Sequence, residues 1–236
     1  MVTQAVILAG GFGTRLQSVV SNIPKPLAPV NGRPFLDYLI RYLRHYGIKN
    51  IVLSVGYLGE KIKEAYGNNF EGIALNYAPE KEPLGTGGGI RLSLAQCHSG
   101  TVLVLNGDSF FDINLENFIS AHANSSSSAS LALRQVENSA RYGTISVEPD
   151  AVIISFTEKN GQNSPGLINT GVYLLNRDHF MEHTPAGTNF SVEKDFFEPQ
   201  AAKRAIYGFE YNGYFIDIGI PDDYARAQHE FKAFKY

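Results

Sequence analysis

Four charged residues stand in settings that suit phosphate chemistry. The run Leu8-Ala9-Gly10-Gly11-Phe12-Gly13-Thr14-Arg15-Leu16 follows an apolar stretch, and its glycines let the main chain approach a ligand with N–H groups aimed at it. Arg15, two residues past Gly13, can fork onto phosphate oxygens. The run reads as a polyphosphate cradle, although a glycine cluster after a strand also makes an ordinary tight turn. It is neither the phosphate loop that ends in Gly-Lys-Ser/Thr nor the dinucleotide fingerprint G-x-G-x-x-G, because Leu16 stands where the last glycine would fall. Lys25, between Pro24 and Pro26, lies in a stiff segment and suits a fixed charge aimed into a cleft, with a solvated loop lysine as the alternative. Asp108, in Asn106-Gly107-Asp108 at the end of an apolar strand, can reach a hard cation, and Mg²⁺ on phosphate substrates takes only one or two protein carboxylates. Asp217, inside Phe215-Ile216-Asp217-Ile218-Gly219, is the acid best placed to partner it, the alternative being a brace for a turn.

A second glycine string, Gly85-Thr86-Gly87-Gly88-Gly89 after Glu80, reads as a loop entering a helix that admits a flat base against the main chain. A third, scattered set holds Tyr142-Gly143, Glu158-Lys159 and Asn169-Thr170-Gly171, polar residues at strand ends with glycines that leave room for a ring. Glu193 joins it, unless it only complements the dipole of a helix that starts after Ser191.

Elements that would position these groups follow from the apolar pattern. Residues 5–9 form a buried parallel strand, Leu36, Leu39, Leu43 and Tyr46 recur at helical spacing before Gly47, and Ile51 to Val55 is a second strand. A short helix from Leu58 to Tyr66, a strand from Ile73 to Tyr77, a helix through Ile90 and Leu94, and a strand from Thr101 to Leu105 complete this half. The alternation predicts an α/β fold: a Rossmann-like, mainly parallel sheet flanked by helices, with ligands at the carboxyl ends of the strands. After residue 125 short strands at 129–134, 143–147, 152–156 and 171–175 look mixed or antiparallel, with closing helices after Ser191 and Pro221. We expect one domain over 1–236, with residues 1–125 forming one half and 126–236 a substrate-side half.

Composition narrows the classes. A single cysteine, Cys97, excludes a disulfide scaffold and a cysteine zinc cluster, and points to a reducing cytoplasm. Twenty basic residues against 23 acidic ones give a net charge of −3 with no basic tract, so no nucleic-acid partner is expected. No apolar run reaches the ~18 residues of a membrane span, and none has the form of a secretory signal core. Ser125 to Ser128 reads as a solvated loop, His179 and His183 as a surface helix pair without a third ligand, Cys97 as a buried filler, Phe196 and Phe197 as core, and Asp222 and Asp223 as first-turn acids of a helix.

The glycine run with Arg15 and Pro24-Lys25-Pro26-Leu27 resembles the signature of the sugar-1-phosphate nucleotidyltransferases, and the likeness extends along nearly the whole chain. Within that family the chain is most similar to the D-glycero-α-D-manno-heptose 1-phosphate guanylyltransferases of bacterial surface-glycan synthesis, with the mannose-1-phosphate enzymes close behind. Two departures are Gln17-Ser18, where members often carry a proline, and Phe215, where they often carry Trp; neither removes a charged group. The resemblance implies that an NTP and a sugar 1-phosphate give an NDP-sugar and pyrophosphate. It puts Mg²⁺ on Asp108 and Asp217, Arg15 on the departing pyrophosphate and Lys25 between the phosphates. It assigns Leu8, Ala9, Gly10, Gly11, Gly13, Thr14, Arg15, Glu80, Gly85, Thr86 and Gly107 to the nucleotide. Gly143, Glu158, Lys159, Asn169, Thr170 and Glu193 fall to the sugar. Pro-Leu-Gly-Thr followed by small residues is similar to guanylyltransferases, which favours GTP; cytidylyl- and some uridylyltransferases share the Thr-Gly-Gly. No acyltransferase or β-helix extension follows, so a single activity is expected.

Overall fold

The run at residues 5–9 is apolar throughout because its strand lies inside a sheet covered on both faces. The structure, a computed structural model, describes residues 2–11, 16, 20, 23–157, 161 and 163–236. Its first elements are β1 (Gln4–Leu8), the two-residue strands β2 (Pro29–Val30) and β3 (Arg33–Pro34), α1 (Phe35–His45), β4 (Asn50–Val55), α2 (Gly59–Tyr66), β5 (Asn69–Phe70) and β6 (Ile73–Pro79). Then come α3 (Gly85–Leu94), β7 (Thr101–Asn106), β8 (Ser109–Phe111), α4 (Leu115–Asn124) and β9 (Ala129–Val136). The chain closes with β10 (Thr144–Val147), β11 (Ile153–Thr157), β12 (Gly166–Asn176), α5 (Arg177–His183), a π-helical stretch (Glu193–Phe197) running into α6 (Glu198–Ala202), β13 (Ile206–Glu210), β14 (Phe215–Asp217) and α7 (Pro221–Glu230).

Strands β7, β1, β4 and β6 lie side by side and parallel. Successive residues of a strand point to opposite faces, so Ala5 and Ile7 pack in one layer with Phe35, Leu36, Leu39 and Leu43 of α1 and Ala227 of α7. Val6 faces the other layer with Val52, Val104 and Ile90 and Leu94 of α3. The mainly parallel sheet flanked by helices is therefore as the apolar pattern predicts. Beyond β7 the sheet turns antiparallel: β12 pairs with β7, β9 and β10, and β10 with β11. β13 returns parallel to β9, and a bridge between Val152 and Tyr207 joins its neighbourhood to that of β11, so five strands form a ring. No helix among the described residues is long and apolar enough to cross a membrane.

Two sequence expectations need correction. The string from Gly85 to Gly89 is not a loop before a helix but the first turn and more of α3 itself. Gly85 enters it at φ +70°, and Gly87 to Gly89 tolerate helical geometry because packing, not propensity, holds the turn. The serine run is also more than a solvated loop: Ser125 Oγ donates to His122 O (2.9 Å), Ser127 Oγ to Ala129 O, and Ser128 Oγ to Ala205 O (3.0 Å), tying the end of α4 to the start of β13.

One buried side chain links α1 to the segment that leaves the central sheet. The Tyr42 hydroxyl donates to Ile113 O (2.8 Å) and accepts from Ile113 N (3.3 Å), and burial pushes its phenol well above the usual range. Tyr42→Phe leaves both backbone groups of Ile113 without that partner. We expect a loss of about 1–3 kcal/mol, read as a lower denaturant midpoint at unchanged slope. An unchanged midpoint would show that the phenol adds nothing to stability.

Candidate active site

The carboxyl ends of β1 and β7 meet where the sequence places its phosphate-directed groups. Gly107 N donates to Leu8 O (2.9 Å), extending the parallel pairing by one residue, and the chain then turns through Asp108 into β8. β14 runs antiparallel to β8 with Asp217 opposite Ser109, and Ile218 N donates to Asp108 O (2.9 Å). This small ribbon brings two acids from distant parts of the sequence to one place. Asp217 Oδ1 accepts from Gly219 N (2.7 Å). Lys25 Nζ lies 2.7 Å from Asp108 Oδ2, with only 12% of its side chain exposed. A Cβ on Gly219 would stand 3.3 Å from the same Nζ, which puts the ammonium beside both acidic segments.

Two cavities flank this cluster. The first, of about 330 Å³, is lined by Leu8, Ala9, Gly10 and Gly11 from one loop, Glu80, Gly85 and Thr86 from another, and Lys25, Gly107 and Asp108 between them. Glu80 is there as a brace: its carboxylate accepts from Ser54 Oγ (3.1 Å) and Leu84 N (2.9 Å). The second cavity, of about 520 Å³, takes in Gly143, Asn169, Thr170 and Glu193 together with both Asp108 and Asp217. Asn106 and Asp108 belong to both walls.

Asn169 and Thr170 reach the second cavity from a break in β12. Pairing with β9 shifts register between Asn169 and Tyr173, and Gly171 at φ +79° makes the turn that an L side chain rarely adopts. Asn169 Oδ1 accepts from Gly171 N (2.9 Å) and its Nδ2 donates to the Tyr173 hydroxyl (2.9 Å). The Thr170 hydroxyl donates to Ala132 O (2.7 Å), so its proton is spent on the backbone. Glu193 Oε2 accepts from Thr86 Oγ1 (3.1 Å) and Ser191 Oγ (2.9 Å), a side-chain link between the two cavities.

Sequence reasoning missed Arg141, whose guanidinium lines the second cavity and pairs with Asp223 (2.5 Å) and the Tyr142 hydroxyl (3.1 Å). Its position beside Tyr142-Gly143 was a signal, but its partner Asp223 reads from sequence as a helix-dipole acid alone. In the structure Asp223 is buried and also meets Arg226 (3.2 Å). Burial raises the Tyr142 phenol, and Asp217 and Asp223 nearby push it the same way against Arg141. Gly13, Thr14, Arg15, Glu158 and Lys159 lie outside the described residues.

The remaining features keep their plain readings. Cys97 is buried, its thiol pushed up to about 11 by that burial, so it is no activated nucleophile. His179 and His183 stack 3.9 Å apart on α5, and among the described residues no group of three or more metal-ligating side chains occurs. Phe196 and Phe197 are core. As an electrostatic set, Asp108 and Asp217 are hard oxygen donors facing one cavity, with one ammonium bound to the first of them.

A family model described as Nucleotidyl transferase matches residues 4–233. The chain is 44% identical over 227 residues to the D-glycero-alpha-D-manno-heptose 1-phosphate guanylyltransferase of Aneurinibacillus thermoaerophilus, covering 96% of this chain and 97% of that one. To the protein of the same name from Campylobacter jejuni it is 44% identical over 221 residues, covering 94% and 96%. The crystal structure of HddC from Yersinia pseudotuberculosis complexed with GMP-PN is similar at TM-score 0.84 and 34% identity, over 97% of this chain and 99% of that one.

Gly107 gives this geometry a direct test. A Cβ there would lie 2.5 Å from Leu8 O and 3.3 Å from the Pro26 ring, and backbone cannot yield as a side chain can. Gly107→Ala is expected to cost about 1–3 kcal/mol, measured by denaturant unfolding. Wild-type stability in that variant would mean that the two strand ends part freely.

Proposed function

The chain belongs to the nucleotidyl transferase family, and on that premise we propose that it transfers the guanylyl group of GTP to D-glycero-α-D-manno-heptose 1-phosphate, releasing pyrophosphate. The observation that carries the reading is the pair of adjoining cavities with Asp108 in the wall of both, since a two-substrate transfer needs its reacting phosphates to meet at one charged point. The first cavity takes GTP, with residues 1–125 as the nucleotide half, and the second takes the sugar 1-phosphate, with residues 126–236 as the sugar half. That the relatives identical at 44% are named for this substrate pair supports the assignment. The product, a GDP-heptose, suits a donor for a bacterial surface glycan, and the reaction belongs in the cytoplasm, where GTP is held.

In this reading an oxygen of the sugar 1-phosphate attacks the α-phosphorus of GTP in line. The new P–O bond forms as the bond to the β-phosphate bridge breaks, and the electron pair leaves with pyrophosphate. A phosphate monoester has its second pKa near 6, so the nucleophile is mostly dianionic at neutral pH and no general base is required. The work left to the protein is positioning and the offset of crowded negative charge. Gly10, Gly11 and Gly107 bring main chain against the phosphates, Thr14 belongs to the nucleotide site, and Arg15 holds the departing pyrophosphate. Lys25 stands where both phosphates converge and stabilises the charge that shifts between them. Gly143, Glu158, Lys159, Asn169, Thr170 and Glu193 orient the sugar. Two carboxylates are a fitting donor set for Mg²⁺, which Asp108 and Asp217 would hold, and which when bound would neutralise phosphate charge.

Pyrophosphate release from the four NTPs, each with heptose, mannose, glucose and N-acetyl sugar 1-phosphates, tests the substrate pair; GTP with heptose 1-phosphate is expected to give the highest kcat/KM. In the same assay at saturating Mg²⁺, Asp108→Asn, Asp217→Asn and Lys25→Ala should each lower kcat about a hundredfold or more, on the order of 3 kcal/mol. Near wild-type turnover in either Asn variant would end the metal assignment.

A further inference from the structure

The glycines at the start of α3 are small because this chain packs on them. Phe190 N donates to Leu84 O (3.0 Å), Gly87 N to Phe190 O (3.0 Å), and Asn189 Nδ2 to Pro83 O (2.8 Å). A Cβ on Gly87 would meet the Phe190 ring at 2.0 Å, and one on Gly88 would meet Thr188 O at 2.7 Å. Segment 188–193 therefore lies flat on the first turn of α3.

At the end of that contact sits one side-chain junction. Thr86 Oγ1 accepts from Val192 N (3.0 Å) and donates to Glu193 Oε2 (3.1 Å), the oxygen that also accepts from Ser191 Oγ (2.9 Å). Asp195 Oδ2 accepts from Ser191 N (2.7 Å), fastening the same corner from below. Thr86 lines the first cavity, and Ser191 and Glu193 line the second. A threonine hydroxyl has one proton to give, and here it goes to Glu193. Thr86 is exposed and Glu193 half-buried, so burial does not lock this bond and a ligand on either side can bias it.

We propose that Thr86 and Glu193 are a positioning pair that couples the two cavities: a nucleotide seated at the Gly85-Thr86 turn fixes the Glu193 carboxylate in the orientation that receives the sugar 1-phosphate. The inference rests on the two-substrate reading above. By linkage the effect is reciprocal, so the sugar phosphate must tighten the nucleotide by the same factor, and couplings of this kind run from about 5-fold to 150-fold. Ordering the junction once, for the first ligand, spares the second that cost.

Calorimetric titration of the full chain measures the coupling directly. The Kd for heptose 1-phosphate is determined with and without a saturating non-hydrolysable GTP analogue, and the Kd for the analogue with and without the sugar phosphate. The wild type is expected to show at least about fivefold tightening in both directions. Thr86→Val, which keeps the shape and drops the hydroxyl, should bring the ratio to within about twofold of unity, and Thr86→Ser should restore it. Glu193→Ala, alone or with Thr86→Val, should give the same lost ratio as Thr86→Val, the non-additivity expected of one shared bond. A wild-type ratio in Thr86→Val overturns the proposal, as does weaker binding of each ligand at an unchanged ratio, which is what a merely structural role would produce. If the pyrophosphate assay selects a different substrate pair, the assignment of GTP and heptose fails, and the same titrations with that pair decide the junction.

Discussion

Two carboxylates in one cavity wall repel each other, and Asp108 and Asp217 share the wall of the second cavity. The chain offsets this with groups close at hand: the Lys25 ammonium on Asp108 and the Gly219 amide on Asp217. Neither acid could be moved independently, because β8 and β14 hold them in one ribbon and Ile218 is bonded to the carbonyl of Asp108 itself. Lys25 is placed by the Pro-Lys-Pro segment, whose Pro26 ring packs close to Gly107 on the opposite strand end. The segments around Lys25, Gly107-Asp108 and Asp217-Gly219, distant in sequence, thus depend on one another.

The same economy governs the two cavities. They are not separate pockets joined by a linker but two sides of the strand end at Asn106 to Asp108, with a second seam where segment 188–193 lies on α3. Glycine serves in both seams for closeness of approach: Gly107 against Leu8, and Gly87 against Phe190. A glycine string in a nucleotide enzyme invites the view that the ligand needs the room. Here much of the room is taken by the protein's own main chain.

How much of this was legible in the residues depends on the range of the interaction. The buried run of β1, the 3.6-residue rhythm of α1 ending before Gly47, and the apolar strand that runs out just before Gly107-Asp108 are local signals, and the structure agrees with each. Asp217 is legible only as a carboxylate in an apolar stretch; its pairing with β8 is a non-local register that no periodicity encodes, and three-residue strands carry too little pattern to announce themselves. Gly85 to Gly89 misleads because propensity argues for a loop, whereas Phe190 and Thr188, distant in sequence, hold the turn helical. Arg141 stayed hidden for a related reason: Asp223 has a sufficient local role in its helix, and nothing local reports a second one across the fold.

The ring formed by β9, β12, β10, β11 and β13 carries a consequence for the life of the protein in a crowded solution. A strand with a bare flank is a template on which a stranger can add itself, and open sheets must blunt that hazard. Joining β11 to the neighbourhood of β13 through Val152 and Tyr207 leaves that end of the sheet with little unpaired flank, and at the far end the last strand, β5, is two residues long. The antiparallel end of this ten-stranded sheet therefore offers other chains little hem to stitch onto, whereas at the opposite end β5 covers only Ile73 and Ala74 of β6.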